Sequence, residues 1–263
     1  MASKSEKINF LINPDTLPDL VRKLTDLTKI SDIIKFKIDS KNILIYSLVG
    51  ETTIIAFKNY LLPTKDYFDF KEEFDYTLDY IVINAKRFVK NLAFFSTEDP
   101  VKMTLTYRQS PTESLMYVRS MSASDGRFKM NNVGAEPYKV RDIDKVKLKA
   151  LLNPANSEWG FQVKDSDFQD VRKLSAINGD DRIITITTNK GNIHFGEVGI
   201  WDLIISETEE VQDEITFPKK YLSSITNTED VINFSVFPNF ILFKEDNTNL
   251  MVSFEQNFED EEY

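Results

Sequence analysis

The chain has 263 residues, 41% of them hydrophobic, and its 42 acidic and 32 basic residues leave a net charge of −10. That is enough apolar material for one large or two ordinary cores. With no cysteine and a single histidine, His194, disulfides, thiolate or multi-histidine metal sites and cysteine nucleophiles are excluded, and a reducing intracellular compartment is expected. Residues 1–7 are polar and charged, unlike a signal peptide, and the longest apolar runs are strand-sized, so a soluble protein is expected.

The strongest helical pattern spans 15–29, where Leu17, Leu20, Val21, Leu24 and Leu27 recur at the spacing of one buried stripe. Asn13 supplies a cap, Pro14 fits the first turn, and Arg22, Lys23 and Lys29 fall on the other face. Strands are predicted at 33–38, 43–48 and 52–62, which are β-branched and aromatic and are separated by turn residues at 39–42 and Gly50. Such close spacing predicts an antiparallel meander. A strand at 77–83 leads to a second helix opened by Asn84. Its apolar side is Ala85, Phe88, Val89, Leu92 and Phe95, and Lys86, Arg87 and Lys90 lie on the other. Strands at 101–107, 115–121 and 127–130 complete a first unit.

Between 133 and 157 the alternation lapses around Gly134, Pro137 and Pro154, which predicts a connector. A second unit then follows in the same order. It has a strand at 159–163, a helix over 166–177 ended by Asn178-Gly179, and strands at 183–188, 192–195, 203–206 and 214–217. A short helix at 218–225 and strands at 231–236, 240–244 and 250–255 close it. The repeat of element order predicts an α+β fold of two similar domains, 1–132 and 158–263, joined by 133–157. Each domain is expected to be an antiparallel sheet with two helices on one face.

Four adjacent basic pairs occur: Arg22-Lys23, Lys86-Arg87, Arg172-Lys173 and Lys219-Lys220. Roughly four is what random placement gives, so the number says nothing by itself. Their location is informative, because each pair lies inside a predicted helix and is bracketed by apolar residues. In an acidic chain this pattern predicts one positive face for a polyanion, a track for a duplex backbone.

Other constellations have plainer explanations. No serine, acid and base pattern surrounds His194. Asp180-Asp181 fits turn chemistry, Asp165 and Asp167 fit caps at a helix N-terminus, and the acidic-aromatic stretch 67–80 fits packing onto the core. No glycine-rich phosphate loop is present. Neither catalytic residues, a metal site nor a cofactor is expected.

Several stretches carry a family resemblance. Residues 217–222 read Phe-Pro-Lys-Lys-Tyr-Leu, 237–242 read Phe-Pro-Asn-Phe-Ile-Leu, 250–256 read Leu-Met-Val-Ser-Phe-Glu-Gln, and 258–263 form an acidic tail. At the start, 7–12 precede the helix containing Leu20-Val21-Arg22-Lys23-Leu24. Together they resemble the DNA sliding clamps, the ring-shaped processivity factors of replicative polymerases that include proliferating cell nuclear antigen and the smaller clamps of T-even-type phages.

The resemblance implies a closed homotrimeric ring around double-stranded DNA of any sequence, with a DNA polymerase and an ATP-driven clamp loader as partners, no membrane and no enzymatic activity. It places Arg22, Lys23, Lys29, Lys86, Arg87, Lys90, Arg172, Lys173, Lys219 and Lys220 against phosphates. It also implies a pocket for partner peptides at Pro238, Phe254, Glu255 and Gln256, beside a connector whose length and charge depart from the commoner clamps. Abundant Ile, Lys and Asn hint at an AT-rich genome and a viral origin. The alternative is a structural assembly protein of phage tail or baseplate type, and a two-carboxylate hydrolase ranks third.

Overall fold

The computed structural model describes residues 5–50, 55–70, 77–95, 99–109, 114–123, 129–131, 145–177, 183–207, 213–225, 230–245 and 247–254. The chain divides into two compact units, Met1–Val49 with Lys58–Asp142, and Gly50–Phe57 with Ile143–Tyr263.

In unit 1, β1 (Ser5–Ile12) is followed by a 3-10 turn at Pro14–Thr16 and by α1 (Leu17–Leu27). The Asn13 side chain accepts from the Asp15 N–H at 3.0 Å, the cap expected from the sequence. β2 (Ile33–Ile38), β3 (Asn42–Val49) and β4 (Ala56–Pro63) come next. Asp39 closes the β2–β3 turn by accepting from the N–H groups of Lys41 and Asn42 at 2.9 and 2.8 Å. Two small elements that periodicity does not reveal follow, α2 (Thr64–Tyr67) and β5 (Phe68–Phe70). Then come β6 (Leu78–Ile83), α3 (Ala85–Leu92), β7 (Val101–Gln109), β8 (Ser114–Ala123) and β9 (Lys129–Asn131).

The sheet of this unit runs β4-β3-β2-β6-β8-β7-β1-β5, with β9 on β8. β1 with β5 and β7, β2 with β3 and β6, and β8 with β7 and β9 pair antiparallel, and β6 with β8 is parallel at Ile81 and Tyr117. α1 and α3 lie side by side. They bury Leu17, Leu20, Leu24 and Leu27, and Ala85, Phe88, Val89 and Leu92, in one core with Phe10, Ile34, Phe36, Ile45, Tyr80 and Val82. Each fully buried leucine or phenylalanine contributes about 2 kcal/mol of transfer free energy, so these two stripes fix which helix faces remain in water.

In unit 2, α4 (Lys145–Leu151) forms inside the segment expected to be an irregular connector. β10 (Trp159–Lys164), α5 (Asp165–Ser175), β11 (Ile183–Asn189), β12 (Asn192–Glu197), β13 (Trp201–Glu207) and β14 (Glu214–Pro218) follow. A short 3-10 helix, Lys219–Ser224, forms where a short helix was expected at 218–225. β15 (Val231–Phe237), β16 (Phe240–Glu245) and β17 (Thr248–Ser253) complete the unit.

β10-β15-β16-β17 pair in that order, and β13-β12-β11-β14 form a four-stranded sheet. The turn between β11 and β12 places both Lys190 and Gly191 at positive φ, 52° and 78°, as a two-residue hairpin requires. Aromatic rings fill the core. Phe161 stacks on Phe234 at 4.5 Å, and Phe168 meets Phe195 edge-on at 6.0 Å. Residues 52–54 of the expected strand 52–62, and Asp180-Asp181, lie outside the described residues.

Candidate nucleic-acid interface

Helical segments carry all four basic pairs, but the side chains do not share one environment. On α1, Arg22 is exposed and pairs with Asp19 at 2.7 Å, while the half-buried Lys23 also contacts Asp19. Tyr67 donates to the same carboxylate. Burial raises the proton affinity of Asp19, but hydrogen bonds from Lys23, Tyr67 and Arg22 and the Lys23 charge outweigh it and hold the carboxyl at about 2. Burial, and then the hydrogen bond to Asp19, push the Tyr67 phenol up. Lys29 is exposed and lies 3.2 Å from Asp26. Asp26 itself is buried, accepts from the Tyr60 hydroxyl at 2.6 Å and pairs with Lys58, which is 1% exposed.

α3 differs from α1. Lys86, Arg87 and Lys90 are all exposed, the helix contains no acid, and none of the three forms an ion pair with a described residue. Asn84 occupies the cap position in the left-handed region, φ 53°, without a capping hydrogen bond from its side chain. Asp32 caps the helix instead. Its backbone oxygen accepts from Ala85 N–H at 2.9 Å, and its carboxylate accepts from Lys86 N–H at 2.8 Å.

In unit 2, Lys173 is exposed and pairs with Asp170 at 2.8 Å. Arg172 is half-buried. Its guanidinium donates to the Ile225 carbonyl, lies 3.6 Å from Asp165 and sits 5.0 Å over the Phe168 ring, so it ties α5 to the end of the 3-10 turn. Asp165 and Asp167 lie in the first turn of α5, and neither supplies the cap; the cap position is Lys164.

Lys220 is exposed, with its ammonium 5.1 Å from the Tyr221 ring centroid. Lys219 corrects the expectation that every pair lies wholly on a solvated face. Its side chain is 3% exposed and pairs at 2.8 Å with Glu197, which is 1% exposed. A 3-10 turn has three residues per turn. Lys220 and Ser223 occupy its wet side, and Lys219, Tyr221, Leu222 and Ser224 are buried.

Sequence reasoning missed Asp19, Asp26, Lys58, Asp32 and Glu197, the acids and the lysine that set these environments. Only the i,i+3 and i,i+4 spacing of Asp19 to Arg22 and Lys23 was a readable signal. The segments expected to form a peptide pocket do meet. Pro238 is exposed in the β15–β16 turn, Phe254 N–H donates to the Asn239 carbonyl at 3.0 Å, and Phe237 stacks on Phe240 at 4.3 Å. Glu255 and Gln256 lie outside the described residues. His194 Nδ1 lies 2.9 Å from an Asp202 carboxylate oxygen across β12 and β13. Among the described residues, no group of three or more His, Asp or Glu side chains is placed to hold a metal ion, and no helix is long and apolar enough to cross a membrane.

No family model matches the chain, and no curated protein matches it. Solved structures do match. The PCNA2–PCNA3 complex of Sulfolobus tokodaii aligns at TM-score 0.55 and 11% identity over 95% of this chain and 99% of that one. Proliferating cellular nuclear antigen of Entamoeba histolytica aligns at 0.54 and 13%, over 95% and 98%. DNA polymerase III subunit beta of Borrelia burgdorferi aligns at 0.61 and 10%, over 96% of this chain and 66% of that one. The chain has the sliding-clamp fold, a mixed α+β architecture of large antiparallel sheets with few helices.

Proposed function

We propose that the chain is a DNA sliding clamp, a polymerase processivity factor that encircles duplex DNA and tethers the replicative polymerase and other DNA enzymes. The observation that carries this reading is that each unit of a sliding-clamp fold carries exposed cations on its helical segments, in a chain of net charge −10. Arg22, Lys29, Lys86, Arg87, Lys90, Lys173 and Lys220 take phosphates, and Lys23 and Arg172 add charge from half-buried positions. Lys219, buried against Glu197, is not among them. Phosphate contacts hold register without reading bases, which lets a ring slide. The acidic remainder repels DNA from other faces.

Three copies close the ring head to tail, a heterologous contact that needs an available edge. Among the described residues β13 is one of the two edges of its sheet, and Val198, Ile200 and Ile204 on and beside it are exposed. Pro238 and Phe254, with Glu255 and Gln256 after them, receive a hydrophobic peptide from the polymerase or the ATP-driven loader. The protein performs no chemistry, and its place is inside the cell, with DNA. The test is retention after loading by a clamp loader. The protein stays on nicked circular DNA through a high-salt wash and is lost once the circle is cut. Equal loss from both forms overturns the reading.

A further inference from the structure

Two of the three α-helices that carry basic pairs bring their own acids. α1 holds two acids and two bases, α5 three acids and two bases, and α3 three bases and no acid. The placement of the acids repeats. On α1, Asp19 lies three residues before Arg22 and four before Lys23, and it pairs with both, with Arg22 at 2.7 Å. On α5, Asp170 lies three residues before Lys173 and pairs with it at 2.8 Å. One helical turn is the spacing at which a carboxylate reaches a cation on its C-terminal side. Three residues before Lys86, Arg87 and Lys90, α3 and its approach hold Ile83, Asn84 and Arg87.

The Lys173 and Asp170 side chains are 72% and 58% exposed, and an ion pair in that much water adds little to a fold. Asp19 stays ionised, with its carboxyl at about 2, and Tyr67 on α2 fixes it by donating to it. A carboxylate one turn from a cation offers the same charge and acceptor oxygens as a phosphate edge. DNA has to displace it to claim the cation. Each such cation therefore gives a phosphate only the surplus over the pair that is lost. A protein that slides on sequence-independent phosphate contacts gains from this, because weaker contacts are exchanged more readily from one phosphate to the next.

We propose that Asp19 and Asp170 are internal competitors for phosphate, which weaken the hold of Arg22, Lys23 and Lys173 on duplex DNA and so set its strength, while α3 grips unopposed. This rests on the reading that the helices face DNA. It gives the acids of that face a part in how tightly the duplex is held.

The test is fluorescence anisotropy of a labelled duplex, titrated across a salt series with wild type, D170N, D19N and D167N. D167N is the charge-matched control, because it removes one acid from the same helix and Asp167 forms no ion pair among the described residues. D170N is expected to raise duplex affinity about three-fold and to steepen the slope of log affinity against log salt by up to roughly 0.9. D19N, which releases two cations, is expected to raise affinity at least as much. D167N should change it by less than about 1.5-fold, since its charge acts only through screening solvent. A purely structural role for the acids gives no gain in any variant. Unchanged or weaker binding by D170N, or an equal gain from D167N, overturns the proposal. So does unchanged or weaker binding by a D19N that circular dichroism shows to be folded. If D19N loses its fold, the comparison of D170N with D167N decides. If that comparison fails while wild type is still retained on circular DNA, this inference alone falls. Loss of that retention removes the clamp reading as well.

Discussion

Replacing Lys219 by alanine leaves Glu197 as a buried carboxylate without its cation. We expect a loss of about 3 kcal/mol, read from the shift in urea midpoint. K220A removes a solvated charge, so stability should change by less than about 0.5 kcal/mol. The slope of log affinity for DNA against log salt should fall by roughly 0.9. A result in which K219A changes the salt slope and spares stability would reverse this assignment of the two lysines.

Asp19 gives a second residue-scale expectation. Its folded proton affinity is depressed to about 2, below the ordinary 3.8. The stabilisation it supplies is therefore complete above about pH 4 and is lost as pH falls through 2. D19N should cost about 1 kcal/mol at pH 7, a figure reduced for solvent screening because the group is partly exposed. The gap between wild type and variant should narrow measurably by pH 3. A gap that is constant with pH would show that the ionised carboxylate contributes nothing. Residue type was legible in the sequence here, and burial was not. Lys219 and Lys220 are both lysines beside an apolar run, and only the three-fold geometry of the 3-10 turn and the distant Glu197 decide which one turns inward.

At the scale of elements, α3 carries the least compensated positive charge of the helices with basic pairs. The variant K86A/R87A/K90A should lower the DNA salt slope by roughly 2.7, near 0.9 per phosphate contact. K173A should lower it less than K220A does, because Asp170 already holds Lys173 at 2.8 Å. Equal effects from K173A and K220A would show that the α5 ion pair opens freely on DNA. D32A removes the cap on α3 and should cost about 1 kcal/mol, whereas N84A should not remove a cap.

The helices at 17–27, 85–92 and 165–175 were readable because buried leucines, valines and phenylalanines recur every three or four residues. α2, β5 and α4 were not, since four, three and seven residues are too short to show a period. The cap on α3 was misplaced for a different reason. Asn84 is a good capping residue by type, but the capping oxygens come from Asp32, distant in sequence and brought near by the pairing of β2 with β6.

For the molecule as a whole, the repeated order of strands and helices and the resemblance at 217–222, 237–242 and 250–256 were enough to reach the sliding-clamp fold. In unit 1, two apolar helix stripes, those of α1 and α3, are buried in one core with the sheet. The sequence could not show that Gly50–Phe57 groups with the second unit, where Ser253 N–H donates to the Ile55 carbonyl at 2.9 Å. That contact joins residues far apart in the chain, and neither segment carries a local signal for it.

The central claim is that three copies close around a hole large enough for DNA. Native mass across a dilution series, with negative-stain images of the same samples, tests it most directly. We expect three chains of 30.5 kDa in one particle with a central opening, dissociating only on high dilution. A compact monomer that persists at high concentration, or a filament without an opening, would contradict the closed ring.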